Sequence, residues 1–197
     1  MTILHLSDTH SQHRRLTELP DADILVHSGD FTMNGSEQEA IDFMDWLCDL
    51  PYPHKIFICG NHDACLYRAK IDGLDENVHY LCNSGVVIDG VKFYGVPMFM
   101  EDCISDRQSR NYAAVPTNTD VLITHCPPYG ILDFDDELNY GSTELLARIK
   151  EIKPRLHLFG HIHKQHGVKE DGPTIFSNGS IMNGDYTNFN LPNLIEI

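Results

Sequence analysis

Residues 23–63, DILVHSGDFTMNGSEQEAIDFMDWLCDLPYPHKIFICGNHD, have the order of a strand, a helix and a second strand. The runs 23–27 and 55–59 are short and rich in Ile, Leu, Val and Phe, which is typical of buried strands. Between them, Ser36 and Glu39 form a capping box, and an apolar stripe follows at helical spacing as far as Pro51. The stretch therefore predicts a strand-helix-strand unit of an α/β protein.

The rest of the chain repeats short strand-like runs and adds one more helix. This helix is predicted to begin near Ser142 and to end before Pro154, with its apolar residues on one face. Asp89 and Gly90 lie between two apolar runs and predict a β-hairpin, which adds antiparallel pairing. No linker divides the chain, so residues 1–197 are expected to form a single domain. Further strands are predicted at 3–6, 86–88, 91–95, 121–124, 156–159 and 174–177.

Composition and charge limit the classes of function. The 197 residues are 42% hydrophobic, which is enough for one full core. No basic and apolar leader and no apolar run of about 20 residues is readable, so a soluble, cytoplasmic protein without a membrane partner is expected. The six cysteines include no C-x-x-C pair and are expected to be reduced thiols. The net charge of −15 argues against a protein that binds extended nucleic acid.

Several of the predicted strands are followed at once by Asp, Asn or His. In open α/β sheets the loops beyond the carboxyl ends of the strands gather in one crevice, so these side chains are expected to meet. A mixed set of oxygen and nitrogen ligands suits Mn, Fe or Zn better than Ca. Seven such groups fit two ions that share a bridging carboxylate. The seven are Asp8, His10, Asp30, Asn61, His125, His161 and His163, and His62 and Asp63 lie beside them.

Five short motifs carry these residues in a fixed order. They are D-x-H at Asp8, G-D at Asp30, G-N-H-D at Asn61, T-H at His125 and G-H-x-H at His161. In this order, at strand ends, they resemble the calcineurin-like metallophosphoesterase family. Stretches such as DADILVHSGDFTMNG and KPRLHLFGHIH look like the small metallophosphoesterase-domain subgroup, which includes cyclic-nucleotide phosphodiesterases. The resemblance implies an α/β sandwich of two mixed β-sheets flanked by helices, in the layer order αββα.

The resemblance also implies a role for each site residue. In the family pattern the residues that hold one divalent ion are Asp8, His10 and His163, and those that hold the other are Asn61, His125 and His161. Asp30 bridges the two ions, for which manganese is favoured and iron, zinc or nickel are alternatives. A hydroxide that bridges the ions attacks phosphorus, and His62 acts as the general acid. Asp63 orients the His62 imidazole through a hydrogen bond.

The substrate is less constrained than the metal centre. Small phosphate diesters such as cyclic nucleotides are favoured, and the alternative is a phosphomonoesterase that acts on nucleotides, small molecules or proteins. A nuclease is disfavoured by the negative charge, and a non-catalytic binding scaffold by the complete ligand set. The chain keeps His161, which some members of the subgroup replace by glycine. It lacks a long insertion that larger relatives carry after G-N-H-D, so specificity contacts from such an insertion do not carry over.

Four polar residues outside the motifs are open to two interpretations. His13, Arg107, Arg110 and Asn111 lie in predicted loops, where they either contact substrate or are solvated. Cys126 is expected to pack in the core rather than to take part in catalysis. The remaining histidines, expected to be structural or exposed, are His5, His27, His54, His79, His157 and His166.

Overall fold

The computed structural model describes residues 1–197 and contains two large β-sheets. The strands of the first sheet are β1 (Thr2–Leu6), β2 (Ile24–His27), β3 (His54–Phe57), β4 (Val78–Tyr80) and β13 (Asn193–Glu196). The strands of the second sheet are β5 (Ser84–Ile88), β6 (Val91–Val96), β7 (Val121–Thr124), β10 (Leu156–Phe159), β11 (Gly167–Asp171) and β12 (Thr174–Asn178). A separate hairpin is formed by β8 (Phe134–Asp135) and β9 (Leu138–Asn139).

Both sheets are mixed, with parallel strands at their centres. The first sheet has the order β13-β1-β2-β3-β4 and is parallel except at its β13 edge. The second has the order β11-β12-β10-β7-β6-β5 and is parallel from β12 to β6, with an antiparallel strand at each edge. The central strands β2, β7 and β10 are completely buried, as parallel strands covered on both faces are. The predicted α/β sandwich of two mixed sheets is confirmed.

Helices cover the outer faces of both sheets. They are α1 (Glu37–Asp49), α2 (Met100–Ile104), α3 (Arg107–Ala113) and α4 (Thr143–Ile152). Because side chains alternate along a strand, Ile3 of β1 packs between the sheets, whereas Leu4 packs in the cluster that α1 covers. In the same way Ile123 of β7 packs between the sheets, and Leu122 packs with the buried residues of α4. The layers therefore follow the order helix, sheet, sheet, helix. No helix has both the length and the apolar composition that a membrane crossing requires.

The local signals for α1, α4 and the central hairpin are confirmed. The Ser36 hydroxyl accepts a hydrogen bond from the Glu39 N–H (3.3 Å), and the Glu39 carboxylate accepts one from the Ser36 N–H (3.1 Å). The Ser142 hydroxyl caps α4. Asp89 and Gly90 have φ angles of 49° and 83°, which are the two positive values that a tight type I′ hairpin turn needs.

The sequence patterns do not indicate the short or exposed elements. Strands β4, β8, β9, β11 and β13 are short or lie at a sheet edge, where few apolar residues mark them. The prediction of a polar loop around Arg107 is wrong, because this segment forms α2 and α3. The sequence gives no usual signal for the start of α3. Asp106 precedes this helix with a φ of 55°, and its side chain makes no capping hydrogen bond.

The carboxyl ends of the parallel strands meet where the two sheets join. Just past β1, Ser7 forms an isolated parallel bridge with Ser180, which lies just past β12. The Ser7 N–H donates to the Gly179 carbonyl (2.8 Å), and the Ile181 N–H donates to the Ser7 carbonyl (2.9 Å). The two sheets are thus joined by backbone hydrogen bonds at the end of the sandwich where the loops after β1, β2, β3, β7 and β10 lie.

Candidate metal centre

All nine residues singled out in the sequence lie in loops that directly follow parallel strands. These loops belong to both sheets and converge beside the Ser7–Ser180 bridge. The arrangement follows the rule that loops at the carboxyl ends of parallel strands share one crevice. The residues are Asp8 and His10 after β1, Asp30 after β2, Asn61, His62 and Asp63 after β3, His125 after β7, and His161 and His163 after β10.

Four of these residues have left-handed backbone conformations. Their φ angles are 56° at Asp8, 42° at His10, 55° at Asp30 and 74° at His161. Positive φ is uncommon outside glycine, although Asp and His adopt it more often than most residues. Backbone hydrogen bonds hold the conformation, since the Asp8 N–H donates to the Gly29 carbonyl (2.9 Å) and the His10 N–H to the Asp30 carbonyl (3.0 Å). Such strain is typical of functional sites that the surrounding fold keeps in place.

Two glycines leave room for the two buried carboxylates. A side-chain carbon at Gly60 would overlap the Asp30 carboxylate, and one at Gly160 would overlap both Ser7 and the Asp8 carboxylate. Neither glycine has a positive φ, so close approach rather than backbone conformation is what requires glycine here.

The first donor cluster contains Asp8, His10 and His163. The Asp8 Oδ1 atom lies 3.9 Å from His10 Nε2 and 3.4 Å from His163 Nε2. The two imidazole nitrogens are 3.3 Å apart. The other Asp8 oxygen accepts hydrogen bonds from the Ser180 hydroxyl (2.9 Å) and the His161 N–H (3.0 Å), which fix the carboxylate. These are the three residues that the family pattern assigns to one ion.

The second donor cluster contains Asp30, His125 and His161. His125 Nε2 lies 3.2 Å from Asp30 Oδ2, yet this buried nitrogen makes no aligned hydrogen bond. The buried Oδ1 of Asn61 also has no hydrogen-bond partner. Buried polar atoms are nearly always paired, so each of these two atoms is available to a bound ligand. The residues present therefore fit the second ion.

Backbone carbonyls orient three of the imidazoles. The Nδ1 atoms of His10, His125 and His163 lie 3.3, 2.9 and 3.5 Å from the carbonyl oxygens of Thr32, Ser28 and Asn183. A carbonyl accepts only from a protonated nitrogen, so in the neutral form of each ring the proton lies on Nδ1 and Nε2 is the atom available to a metal. Metal-bound histidines are commonly oriented in this way.

The pKa values show that the cluster is short of positive charge. Burial by itself lowers the pKa of His125, but the Asp30 and Asp8 carboxylates outweigh it and raise that pKa to about 10. Burial and the neighbouring His125 lower the pKa of His161 to about 4, so His161 is neutral at pH 7 as a ligand must be. The two buried carboxylates thus create a site of negative potential, which bound divalent cations would neutralise.

His62 and Asp63 lie beside the cluster, but their predicted hydrogen bond does not form. His62 Nδ1 lies 2.8 Å from the Met33 carbonyl instead. Asp63 is fully buried, and its carboxylate accepts four hydrogen bonds, from the backbone N–H groups of Gly60, Asp30 and Thr32 and from the Thr32 hydroxyl. Asp63 therefore ties the loops after β2 and β3 together, and the prediction that it orients His62 is wrong. A ring nitrogen of His62 lies near ligand atoms of His10 and Asp30.

The cluster opens into a cleft of about 320 Å³. Four of the lining residues are absent from the sequence-based prediction: Asp135, Lys164, Gly184 and Tyr186. Lys164 directly follows the G-H-x-H motif and could have been found from that position. Asp135 in β8, and Gly184 and Tyr186 after β12, carry no motif, so only the fold brings them to the cleft.

The four residues that the sequence left open do not line this cleft. His13 is buried, and its Nε2 lies 3.0 Å from an Asp42 oxygen on α1. Arg107 pairs with Asp102 (2.8 Å), and the Asn111 amide donates to the same carboxylate (3.3 Å). Arg110 is exposed on α3.

The other histidines and Cys126 are buried or lie outside the cleft, as the sequence predicts for their positions. His5, His27 and His157 are completely buried, and each lies within hydrogen-bonding distance of a serine or threonine hydroxyl. His54, His79 and His166 are partly buried and lie outside the cleft. Cys126 is buried in the core.

Comparison with known proteins gives consistent matches over most of the chain. The family model described as calcineurin-like phosphoesterase matches residues 1–165. A UPF0046 protein of Caenorhabditis elegans is 38% identical over 208 residues, a match that covers 93% of this chain and 70% of that protein. Metallophosphoesterase domain-containing protein 1 of Homo sapiens is 32% identical over 227 residues, covering 98% of this chain and 69% of that protein.

A solved structure supports the fold. GAP50, described as the anchor in the inner membrane complex of Plasmodium, aligns with a TM-score of 0.56 and 13% sequence identity. The alignment covers 96% of this chain and 75% of that one. At this level of identity the likeness concerns the fold alone.

The close approach at Gly160 generates a prediction about metal binding. In Gly160→Ala the added carbon displaces the Asp8 carboxylate, so we expect the affinity for manganese to fall by roughly 10- to 100-fold. Titration calorimetry measures the affinity, and circular dichroism checks the fold. The control is Gly184→Ala, where the nearest atoms to an added carbon are 3.8 Å away. Equal manganese affinity in the two variants would show that the close approach is unimportant.

Proposed function

The chain belongs to the calcineurin-like phosphoesterase family, and we propose that it is a phosphodiesterase that hydrolyses small diesters such as cyclic nucleotides. Family membership and the candidate ligand clusters support the coarser assignment of a metal-dependent phosphoesterase. The observation that carries the proposal is the pair of donor clusters, one on Asp8 and one on Asp30, with His62 beside both.

The proposed ligand sets follow the two donor clusters. Asp30 is the carboxylate proposed to serve both ions, since it lies within one cluster with His125 and His161 and within another with His10 and His62. Two divalent ions supply Lewis acidity and lower the pKa of coordinated water. Manganese is the proposed metal, with iron, zinc or nickel as alternatives, because the donors are imidazoles, carboxylates and an amide. One set is Asp8, His10 and His163, and the other is Asn61, His125 and His161.

The charge of the centre favours an anionic substrate. Two divalent ions bring about four positive charges, and Asp8 and Asp30 remove about two. An acidic protein of net charge −15 therefore gains a local site for a phosphate ester. Phosphoryl transfer depends mainly on such positioning and on the stabilisation of charge that develops on the phosphoryl oxygens.

His62 is the proposed proton donor to the leaving oxygen. The Met33 carbonyl holds its Nδ1 at 2.8 Å, which fixes the ring and leaves Nε2 to face a reacting group. The side chain is partly exposed in the cleft, where a leaving group departs into solvent.

The cleft rim supports a diester over a monoester. Apart from the histidines, Lys164 is the only cationic side chain that lines the cleft. Its ammonium lies 2.6 Å from Asp135 and 2.7 Å from Asp136, so two carboxylates already engage it. A phosphate monoester carries up to about two negative charges near pH 7, whereas a diester carries about one. With no free cation at the rim, the second charge of a monoester has no partner outside the metal centre.

The function is tested by the relative rates of two matched substrates. Manganese-loaded protein should hydrolyse bis(4-nitrophenyl) phosphate with a higher kcat/KM than 4-nitrophenyl phosphate, because the rim disfavours the dianion. Release of 4-nitrophenol measures both rates. The reverse order would establish the phosphomonoesterase alternative. No hydrolysis of either substrate or of cyclic nucleotides, by protein shown to hold two ions, would establish the binding scaffold.

His62→Ala tests the proton donor. We expect bound manganese to stay at the wild-type level and turnover of a diester with a poor leaving group to fall by roughly 10²- to 10⁴-fold. A smaller loss is expected for an aryl diester, because 4-nitrophenol leaves without much need of a proton. Asp30→Asn is the comparison variant, in which both manganese and turnover should be lost. Equal turnover of both diesters in His62→Ala and wild type would remove His62 from the mechanism.

Asp135→Asn/Asp136→Asn tests the role of the rim. The double variant frees the Lys164 ammonium, so the ratio of kcat/KM for 4-nitrophenyl phosphate to that for bis(4-nitrophenyl) phosphate should rise roughly 5-fold. The control is Glu151→Gln, which removes an exposed carboxylate paired with Arg148 on α4, outside the cleft. A ratio unchanged from wild type would show that the Lys164 pairs do not select the substrate.

A further inference from the structure

Tyr186 occupies an unusual backbone position at the edge of the cleft. It lies between β12 and β13 in the segment Asn183–Asn188, and its φ angle is 57°. Tyrosine rarely adopts a left-handed conformation, because its side chain crowds the backbone there. An outlier of this kind, in a residue that lines a cleft, suggests that the position of the side chain is useful.

The segment is built to hold Tyr186 in place. The Asn183 side-chain oxygen accepts hydrogen bonds from the N–H groups of Thr187 (2.9 Å) and Asn188 (3.2 Å). The Tyr186 N–H donates to the Asn183 carbonyl (2.9 Å). The same carbonyl lies 3.5 Å from His163 Nδ1, so the turn is connected directly to a candidate metal ligand.

The Tyr186 ring packs on two candidate ligands and leaves part of its surface free. Its centroid is 5.1 Å from that of His10 and 5.0 Å from that of His163, which are ordinary distances for aromatic pairs. The residue nevertheless keeps 37% of its surface exposed. Among the residues that line the cleft, Tyr186 is the only hydrophobic one.

We propose that the Tyr186 ring contacts the organic group of the bound ester, and that the cleft thereby selects esters that carry a planar aromatic group such as a nucleobase or an aryl ring. This proposal rests on the proposed function, since it names the substrate class of the same site. The metal centre takes the phosphoryl group, and the other charged rim residues, Asp135 and Lys164, form an ion pair and offer no ring on which a planar group can stack. Gly184 has no side chain, and a carbon added there would lie 3.8 Å from the nearest atoms, so this part of the cleft is open.

A purely structural role for Tyr186 makes a different prediction. If the ring only supported His10 and His163, its removal would weaken metal binding and lower the rate for every substrate alike. If it contacts an aromatic group, the loss follows the substrate and the bound metal is unchanged. Base-aromatic contacts are worth about 10-fold or more in affinity.

The experiment compares Tyr186→Leu with Tyr186→Phe in manganese-loaded protein. Tyr186→Leu should lower kcat/KM about 10-fold for adenosine 3′,5′-cyclic phosphate and bis(4-nitrophenyl) phosphate, but less than 3-fold for glycerol cyclic phosphate, which has no aromatic ring. Tyr186→Phe keeps the ring and should stay near wild type on all three. Manganese content should be equal in all proteins. Tyr129→Leu, an exposed tyrosine outside the cleft, is the control.

A binding measurement separates this proposal from the proposed function. Tyr186→Leu should weaken the binding of adenosine 5′-monophosphate about 10-fold and leave that of ribose 5-phosphate unchanged, even if no diester is hydrolysed. Wild-type protein that hydrolyses no diester but shows this difference would overturn the function and keep the role of Tyr186. Equal losses for substrates with and without an aromatic group, or a loss in Tyr186→Phe as large as in Tyr186→Leu, would overturn the role of the Tyr186 ring.

Discussion

Two buried carboxylates at the junction of the sheets are the constraint on which the rest of the site depends. Asp8 and Asp30 are almost completely inaccessible, and no lysine or arginine pairs with them. Isolated buried charge is costly, so the surroundings must supply positive charge. Neighbouring imidazoles do this only in part, as the raised pKa of His125 shows. The left-handed turns and the small residues Gly60 and Gly160 serve to hold these carboxylates where cations can neutralise both.

Much of this centre could be predicted from the sequence, because each ligand directly follows a readable strand. Asp30 follows β2, His125 follows β7 and His161 follows β10, so strand assignment alone brings them to one end of the sandwich. The partner of Asp63 could not be predicted, since its four hydrogen bonds depend on how two loops pack. Tyr186 was also beyond prediction, because the segment after β12 has no motif and no regular periodicity. His13 fits neither of the two interpretations that the sequence left open, since it does not line the cleft and is buried against Asp42 rather than solvated.

The groups proposed for chemistry and those proposed for substrate selection come from different parts of the fold. Groups proposed for the phosphoryl chemistry come from the loops after the central parallel strands, and their positions are fixed by backbone hydrogen bonds. Groups proposed to select the substrate come from the β8–β9 hairpin, from Lys164 just past the candidate ligands after β10, and from the segment between β12 and β13. The β8–β9 hairpin supplies no core residue, and the segment after β12 supplies Ile181 and Met182 but not Tyr186, so the side chains at the rim can change without disturbing the core.

The bridge between Ser7 and Ser180 makes the candidate centre a joint between the two halves of the sandwich. Ligands come from both sheets, and Asp8 also accepts a hydrogen bond from the Ser180 hydroxyl beside that bridge. Cations bound there would hold one half to the other. Ion release and separation of the two halves would then be coupled events, and apo protein would loosen along this seam first.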